Sequence, residues 1–130
     1  MTDIAALIAR LEKASGADRQ LDWEIATKVM GMKPAEGNQP DWTLAMAYDG
    51  YAEDALRPTP YYTASIDAAL TLLPDGRGWL LGRGHLTLTE PPYGARICSI
   101  SDPDIEYGVG EGSTPAIALC IACLRARSAI

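Results

Sequence analysis

Thr114-Pro115-Ala116-Ile117-Ala118-Leu119-Cys120-Ile121-Ala122-Cys123-Leu124-Arg125-Ala126-Arg127 decides the fold class. Thr114 is a helix N-cap, and Pro115 takes the first helical position, where a missing N–H removes no intrahelical bond. Ile117, Cys120, Ile121 and Leu124 recur at helical spacing, and Arg125 and Arg127 suit the negative end of the helix dipole. An apolar face this wide predicts a helix laid against the centre of a sheet.

The chain before it supplies that sheet. Trp79-Leu80-Leu81, His85–Thr89 and Ala95–Ser101 read as antiparallel strands, with Ile105–Val109 as a candidate fourth. In the second run Leu86 and Leu88 face one way while His85, Thr87 and Thr89 face the other, the period of a half-buried strand. Gly82-Arg83-Gly84 and Pro91-Pro92-Tyr93-Gly94 read as the turns between strands. Further back, Thr63 opens a helix with Ile66, Ala69, Leu70 and Leu73 inward, stopped by Pro74-Asp75-Gly76.

Two helices begin the sequence. Ile4, Leu7, Ile8 and Leu11 form one apolar stripe, with Thr2 as a candidate cap and Gly16 as a stop. Asp18 caps a second helix in which Leu21, Ile25 and Val29 recur every four residues until Gly31. Between Pro34 and Pro60 the helical pattern vanishes. Only Trp42, Leu44, Met46 and Tyr48 alternate as a strand, with Asp49-Gly50 as its turn. The order is helix, helix, strand, helix, three or four antiparallel strands, helix. That is α+β, a small antiparallel sheet with helices packed on it.

Composition sets further bounds. The chain has 130 residues, enough for one domain, with 48% hydrophobic and 22% charged side chains. There are 11 basic and 17 acidic residues, a net charge of −6 and a pI near 4.6. The excess is spread evenly: residues 1–65 carry 6 basic and 10 acidic groups, and residues 66–130 carry 5 and 7. Such a surface repels duplex nucleic acid and anionic membranes. No run approaches the roughly 18 apolar residues of a membrane span, and no signal-peptide pattern opens the sequence. Three cysteines cannot all pair, so a reducing, cytoplasmic setting is expected.

Several constellations invite a chemical reading. Cys120-Ile121-Ala122-Cys123 has redox spacing, but it begins more than a turn inside an apolar helix, away from the N-terminal dipole that acidifies a thiol. Zinc would require Cys98 and His85 to converge on that pair. His85 is the sole histidine, and no serine or carboxylate is placed beside it to build a hydrolytic triad. Gly76-Arg77-Gly78 and Gly82-Arg83-Gly84 read as turns that also offer guanidinium groups to an anion. Asp102, Asp104, Glu106 and Glu111 read as a solvated acidic loop, because an EF-hand needs Gly and Glu where Tyr107 and Ser113 stand. The proline-rich middle carries Trp42, Tyr48, Tyr51, Tyr61 and Tyr62, suited to a ligand rim or an oligomer contact.

Three segments resemble a known family. Leu21-Asp22-Trp23-Glu24-Ile25-Ala26-Thr27-Lys28-Val29-Met30-Gly31 is similar to the D-x-x-I-A-x-x-V-M-G-W opening of the phage ABA sandwich domain proteins, with Met32 where they carry an aromatic residue. Pro60-Tyr61-Tyr62-Thr63-Ala64-Ser65-Ile66-Asp67-Ala68-Ala69-Leu70 is similar to their Y-T-x-S-I-D-A-A helix. Glu111 to Arg125 is similar to their closing A-x-T-P-A-x-A-L-C-x-A-A-L helix, and residues 32–59 carry no match. The resemblance implies a phage or prophage origin and a layered α/β/α sandwich. On that basis residues 1–130 form a single such domain with a long irregular insertion at about 34–60. The family brings no catalytic residue to transfer.

These readings together predict a non-catalytic accessory protein in a bacterial host, binding a small ligand or a host or phage protein. Sequestering a nucleotide defence signal is one concrete version. Its candidate ligand-binding residues are Trp42, Tyr48, Tyr61, Arg77, Arg83 and His85, with no metal and no cofactor expected. A structural or virion-assembly protein, including a homo-oligomer, is the alternative, and an enzyme is the third reading.

Overall fold

A computed structural model describes residues 4–34, 46–48, 56–83 and 93–128. Helix α1 (Ile4–Lys13) buries Leu7, Ile8 and Leu11 on the predicted stripe. Asp18 caps α2 (Arg19–Glu24): its side chain accepts from the N–H groups of Gln20 and Leu21. The helix then widens into a π-helical turn, Ile25–Val29, which the regular four-residue spacing of Leu21, Ile25 and Val29 does not announce. Met30 N–H donates to the Ile25 carbonyl, and Gly31 reverses the chain at φ +73°, where a side chain would be strained.

Three short strands fall in or beside the segment read as irregular. They are β1 (Lys33–Pro34), β2 (Met46–Tyr48) and β3 (Leu56–Pro58), an antiparallel sheet in that order. The expected strand around Trp42–Tyr48 is present as β2, and its residues 42–45 lie outside the described residues, as does Asp49-Gly50.

Helix α3 is shorter than its pattern. It spans Ile66–Leu70, with Ser65 rather than Thr63 as the cap; the Ser65 hydroxyl accepts from Ala68 N–H. Thr63 is instead buried and committed elsewhere, and Ile66, expected inward, is exposed while Leu72 takes a core place.

The main sheet contains β4 (Arg77–Arg83), β5 (Tyr93–Ser99) and β6 (Glu106–Gly112), antiparallel in that order. The fourth candidate run is therefore a real strand, β6. His85–Thr89 lies outside the described residues. Gly76 makes the turn into β4 at φ +78°, but Arg77, Gly78, Gly82 and Arg83 are strand residues. The two Gly-Arg-Gly runs are thus not loops around a three-residue strand. Backbone pairing with β5 extends the strand through both arginines.

Helix α4 (Pro115–Ser128) begins as its sequence predicts, with the Thr114 hydroxyl accepting from Ile117 N–H. Every residue from Ala116 to Leu124 is buried, on all sides of the helix. The reason is its place in the fold. β5 and β6 cover one side, α1 and α3 the other, so α4 is the middle layer. The close approach to β6 needs glycine there. A Cβ on Gly110 would come within 2.5 Å of the Ala118 carbonyl oxygen and 2.6 Å of the Ala122 nitrogen, and Gly108 and Gly112 press on the same helix. The architecture is α+β: a three-stranded antiparallel sheet packed on helices.

Candidate functional site

Alternation along the main sheet sorts its residues onto two faces. Gly108 and Gly110 touch α4, so their partners Ile97 and Ala95, and beyond them Trp79 and Leu81, share that side. The intervening row is Leu80, Arg96 and Val109, paired in register across the three strands. Leu80 is 56% exposed and Val109 37% exposed. The next row along is Gly82, Gly94 and Glu111.

Two glycines side by side leave the strand backbone bare. The result is a shallow groove of about 320 Å³, floored by Gly82 and Gly94 and edged by Leu80, Val109, Arg96 and Glu111. At the other end of the face Ile100, 70% exposed, lies over Gly78: a Cβ on that glycine would meet the Ile100 side chain at 3.7 Å. Arg96 does not reach into the groove freely. Its Nε donates to Glu106 Oε2 at 2.7 Å and its Nη2 to the Pro103 carbonyl at 2.5 Å, which draws the guanidinium toward the β5–β6 turn. The face is therefore apolar along Leu80, Val109 and Ile100, with a charged rim.

Of the predicted ligand-binding residues, the structure separates Arg77 from Arg83. Arg77 and Arg83 stand at opposite ends of β4, roughly 20 Å from each other at a strand's rise per residue. Each guanidinium stacks on its own tyrosine, Arg77 over Tyr107 at 3.8 Å and Arg83 over Tyr93 at 5.7 Å. Tyr61 lies beneath Arg19, 3.8 Å from its ring centroid. Tyr48 is on β2, and Trp42 and His85 lie outside the described residues. Among the described contacts nothing joins Tyr61, Arg77 and Arg83 into one site.

A second polar cluster is closed rather than open. Asp22 is fully buried; its Oδ1 accepts from Thr63 N–H and hydroxyl, and its Oδ2 from Arg19 Nη1 at 2.8 Å. Arg19 also donates to the carbonyls of Thr59 and Pro60. This cluster clasps α2 to the chain before α3. The cysteines are likewise internal. Cys98, Cys120 and Cys123 are free and buried, and the Cys120 thiol donates to the Tyr62 carbonyl at 3.2 Å. Burial pushes the Cys123 thiol up to about 12, against a smaller opposing pull from Arg127, and drives Cys120 higher still. Burial disfavours the thiolate in both.

The residues that form the groove carry a sequence signal missed by reading motifs alone. Glycine recurs at 108, 110 and 112 with Val109 and Glu111 between, one strand side stripped for a helix and the other left with side chains. Compared with known proteins, the chain matches no family model, no curated protein and no solved structure.

Proposed function

We propose that the chain is a non-catalytic binding protein that holds a partner protein against the open face of the β4–β6 sheet. The observation that carries this reading is the exposed row Leu80–Arg96–Val109 beside its glycine-floored groove. Removing a leucine-sized side chain from water contributes roughly 1.5–3 kcal/mol. Leu80 and Val109 flanking Arg96, whose guanidinium turns toward Glu106, with Glu111 beside them, have the apolar, arginine-containing composition of a protein–protein contact. Shape, not volume, favours a protein over a small ligand. The groove, about 320 Å³, falls within the roughly 300–1,000 Å³ of small-molecule sites, but it lies open along the sheet, whereas those sites enclose 70–90% of a ligand. The resemblance to phage ABA sandwich proteins makes a host or phage protein the natural partner. Catalysis has less support, since the buried Asp22–Thr63 pair and the three cysteines are enclosed by packing.

A photo-crosslinking residue at Val109, expressed in the cell that encodes the protein, tests this. An adduct of defined mass is expected at Val109 and not at exposed Asp67 on α3, and it should disappear when Leu80→Lys is added. Equal adducts at both positions, or none at Val109, would overturn the reading.

A further inference from the structure

The edge of the sheet carries a feature separate from its face. Strand β4 reads Arg77-Gly78-Trp79-Leu80-Leu81-Gly82-Arg83, which is close to a palindrome about Leu80. Among the described residues β4 pairs only with β5, and no described strand lies along its outer row of backbone N–H and C=O groups. Exposed edges are ordinarily blunted by charged side chains, Pro or a bulge. β4 has no Pro and carries charge only at its two ends, Arg77 and Arg83, and the sheet's register shift lies on the other side, between β5 and β6. Trp79 and Leu80 are instead 43% and 56% exposed along this edge.

We propose that β4 pairs antiparallel with β4 of a second copy, with Leu80 on the two-fold axis, making one six-stranded sheet from two three-stranded ones. A two-fold contact requires a surface complementary to itself, and the near-palindrome meets that requirement from Gly78 to Gly82. Laid antiparallel, Leu80 faces Leu80, Gly78 faces Gly82, and Trp79 faces Leu81. The last is an aromatic–aliphatic pair worth roughly 0.2–1 kcal/mol, made twice. On the open face the glycines leave room around the paired leucines.

At each end Arg77 comes opposite Arg83 of the other copy. Both guanidinium groups are held over their own sheet by Tyr107 and Tyr93, which draws charge back from the seam. The residual repulsion is exposed and screened by salt. A seven-residue edge supplies less than the roughly 1,600 Å² of a standard interface, so the dimer is a weak, exchanging one that tightens as salt is raised. This stands on the strand edge and does not depend on the face holding another protein.

The test is the full chain carrying Leu80→Cys, oxidised beside a Val109→Cys control. The native thiols are buried and stay out of the reaction. Facing residues of an antiparallel pair have Cβ atoms about 4.5–5.5 Å apart, close to disulfide reach. Val109 lies on β6, the opposite edge of the sheet, roughly 10 Å from β4. A covalent species of twice the monomer mass is expected from Leu80→Cys only, and sedimentation of the unmodified chain should shift toward that mass with concentration and with salt. A monomer at every concentration without a Leu80→Cys crosslink overturns the proposal, as do equal crosslinks at the two positions. A Val109 adduct with another protein that persists on a strictly monomeric chain would leave the face reading standing and this one fallen. A dimer without that adduct gives the reverse.

Discussion

Asp22 grips Thr63 twice across 41 residues of sequence: Oδ1 accepts from the Thr63 N–H at 2.8 Å and from its hydroxyl at 2.7 Å. Arg19 closes the other carboxylate oxygen, so the charge is buried, paired and hydrogen-bonded at once. Breaking such a pair leaves an uncompensated cation and an orphaned amide. Asp22→Ala is expected to destabilise by about 3–5 kcal/mol, and Thr63→Val by about 1–3 kcal/mol. Combining them should give less than the sum, because they share one network. Denaturant titration of the set checks this; a loss below about 1 kcal/mol for Asp22→Ala would mean the clasp does not hold the two segments together.

Gly110 separates a need for space from a need for backbone freedom. Its backbone is ordinary strand, yet a Cβ would strike the Ala118 carbonyl and the Ala122 nitrogen of α4, neither of which yields without moving the helix. Gly110→Ala is expected to cost roughly 1–3 kcal/mol or more by prying the sheet from the helix. Gly16→Ala, with nothing within 4 Å of the added carbon, should change stability by about 0.5 kcal/mol or less. Thermal melts of the two variants decide it.

The helix starts show how much of the fold is legible in the sequence. Asp18 and Thr114 announce the helix starts through cap chemistry, and the structure has both hydrogen bonds, because caps are decided by the residues beside them. The local pattern puts the α3 start at Thr63 because it carries no sign of Asp22, which takes that hydroxyl from 41 residues away. The same limit governs the site. Arg77 and Arg83 look like paired anion-binding loops in one dimension, whereas pairing with β5 extends a strand through both and separates them. The open face was hidden for the opposite reason. Leu80 and Val109 are ordinary apolar residues in sequence, and only the register across three strands brings them together.

The cysteines should be inert in the folded protein. Burial raises the Cys120 thiol, helped by Cys123 and Asp22, and holds Cys123 near 12 despite Arg127. A thiol reagent at pH 8 is expected to leave both unmodified in the native chain and to label them fully after denaturation. Rapid native labelling of Cys123 would show that α4 opens far more readily than its packing implies.

Glu24 shapes the acid limb of stability. Burial raises its carboxyl, but hydrogen bonds and charges from Lys28, at 2.8 Å, and Arg10, at 2.5 Å, outweigh that and leave it below the usual carboxylate range. The folded state therefore favours the ionised form. Its contribution is present above the ordinary value of about 4.3 and is lost as pH falls through the lower folded value. Glu24→Gln should be less stable than the parent at neutral pH, and the gap should close on acidification. A gap that stays constant between neutral pH and about 3 would assign the loss to packing instead.

Leu80 and Ile97 sit on adjacent strands and opposite faces, and truncating each measures which face belongs to the core. Ile97 is fully buried against α4, so Ile97→Ala should cost about 2–5 kcal/mol through lost burial and the cavity left behind. Leu80 is 56% exposed and gives up little on truncation; Leu80→Ala is expected to stay within about 1 kcal/mol in dilute solution. A leucine that the fold does not need, kept beside two glycines on an exposed strand, is stabilising only when something else covers it. Unfolding curves at low protein concentration read the two costs directly. A loss at Leu80 as large as that at Ile97 would make the open face part of this chain's own core, and the binding reading would fall with it.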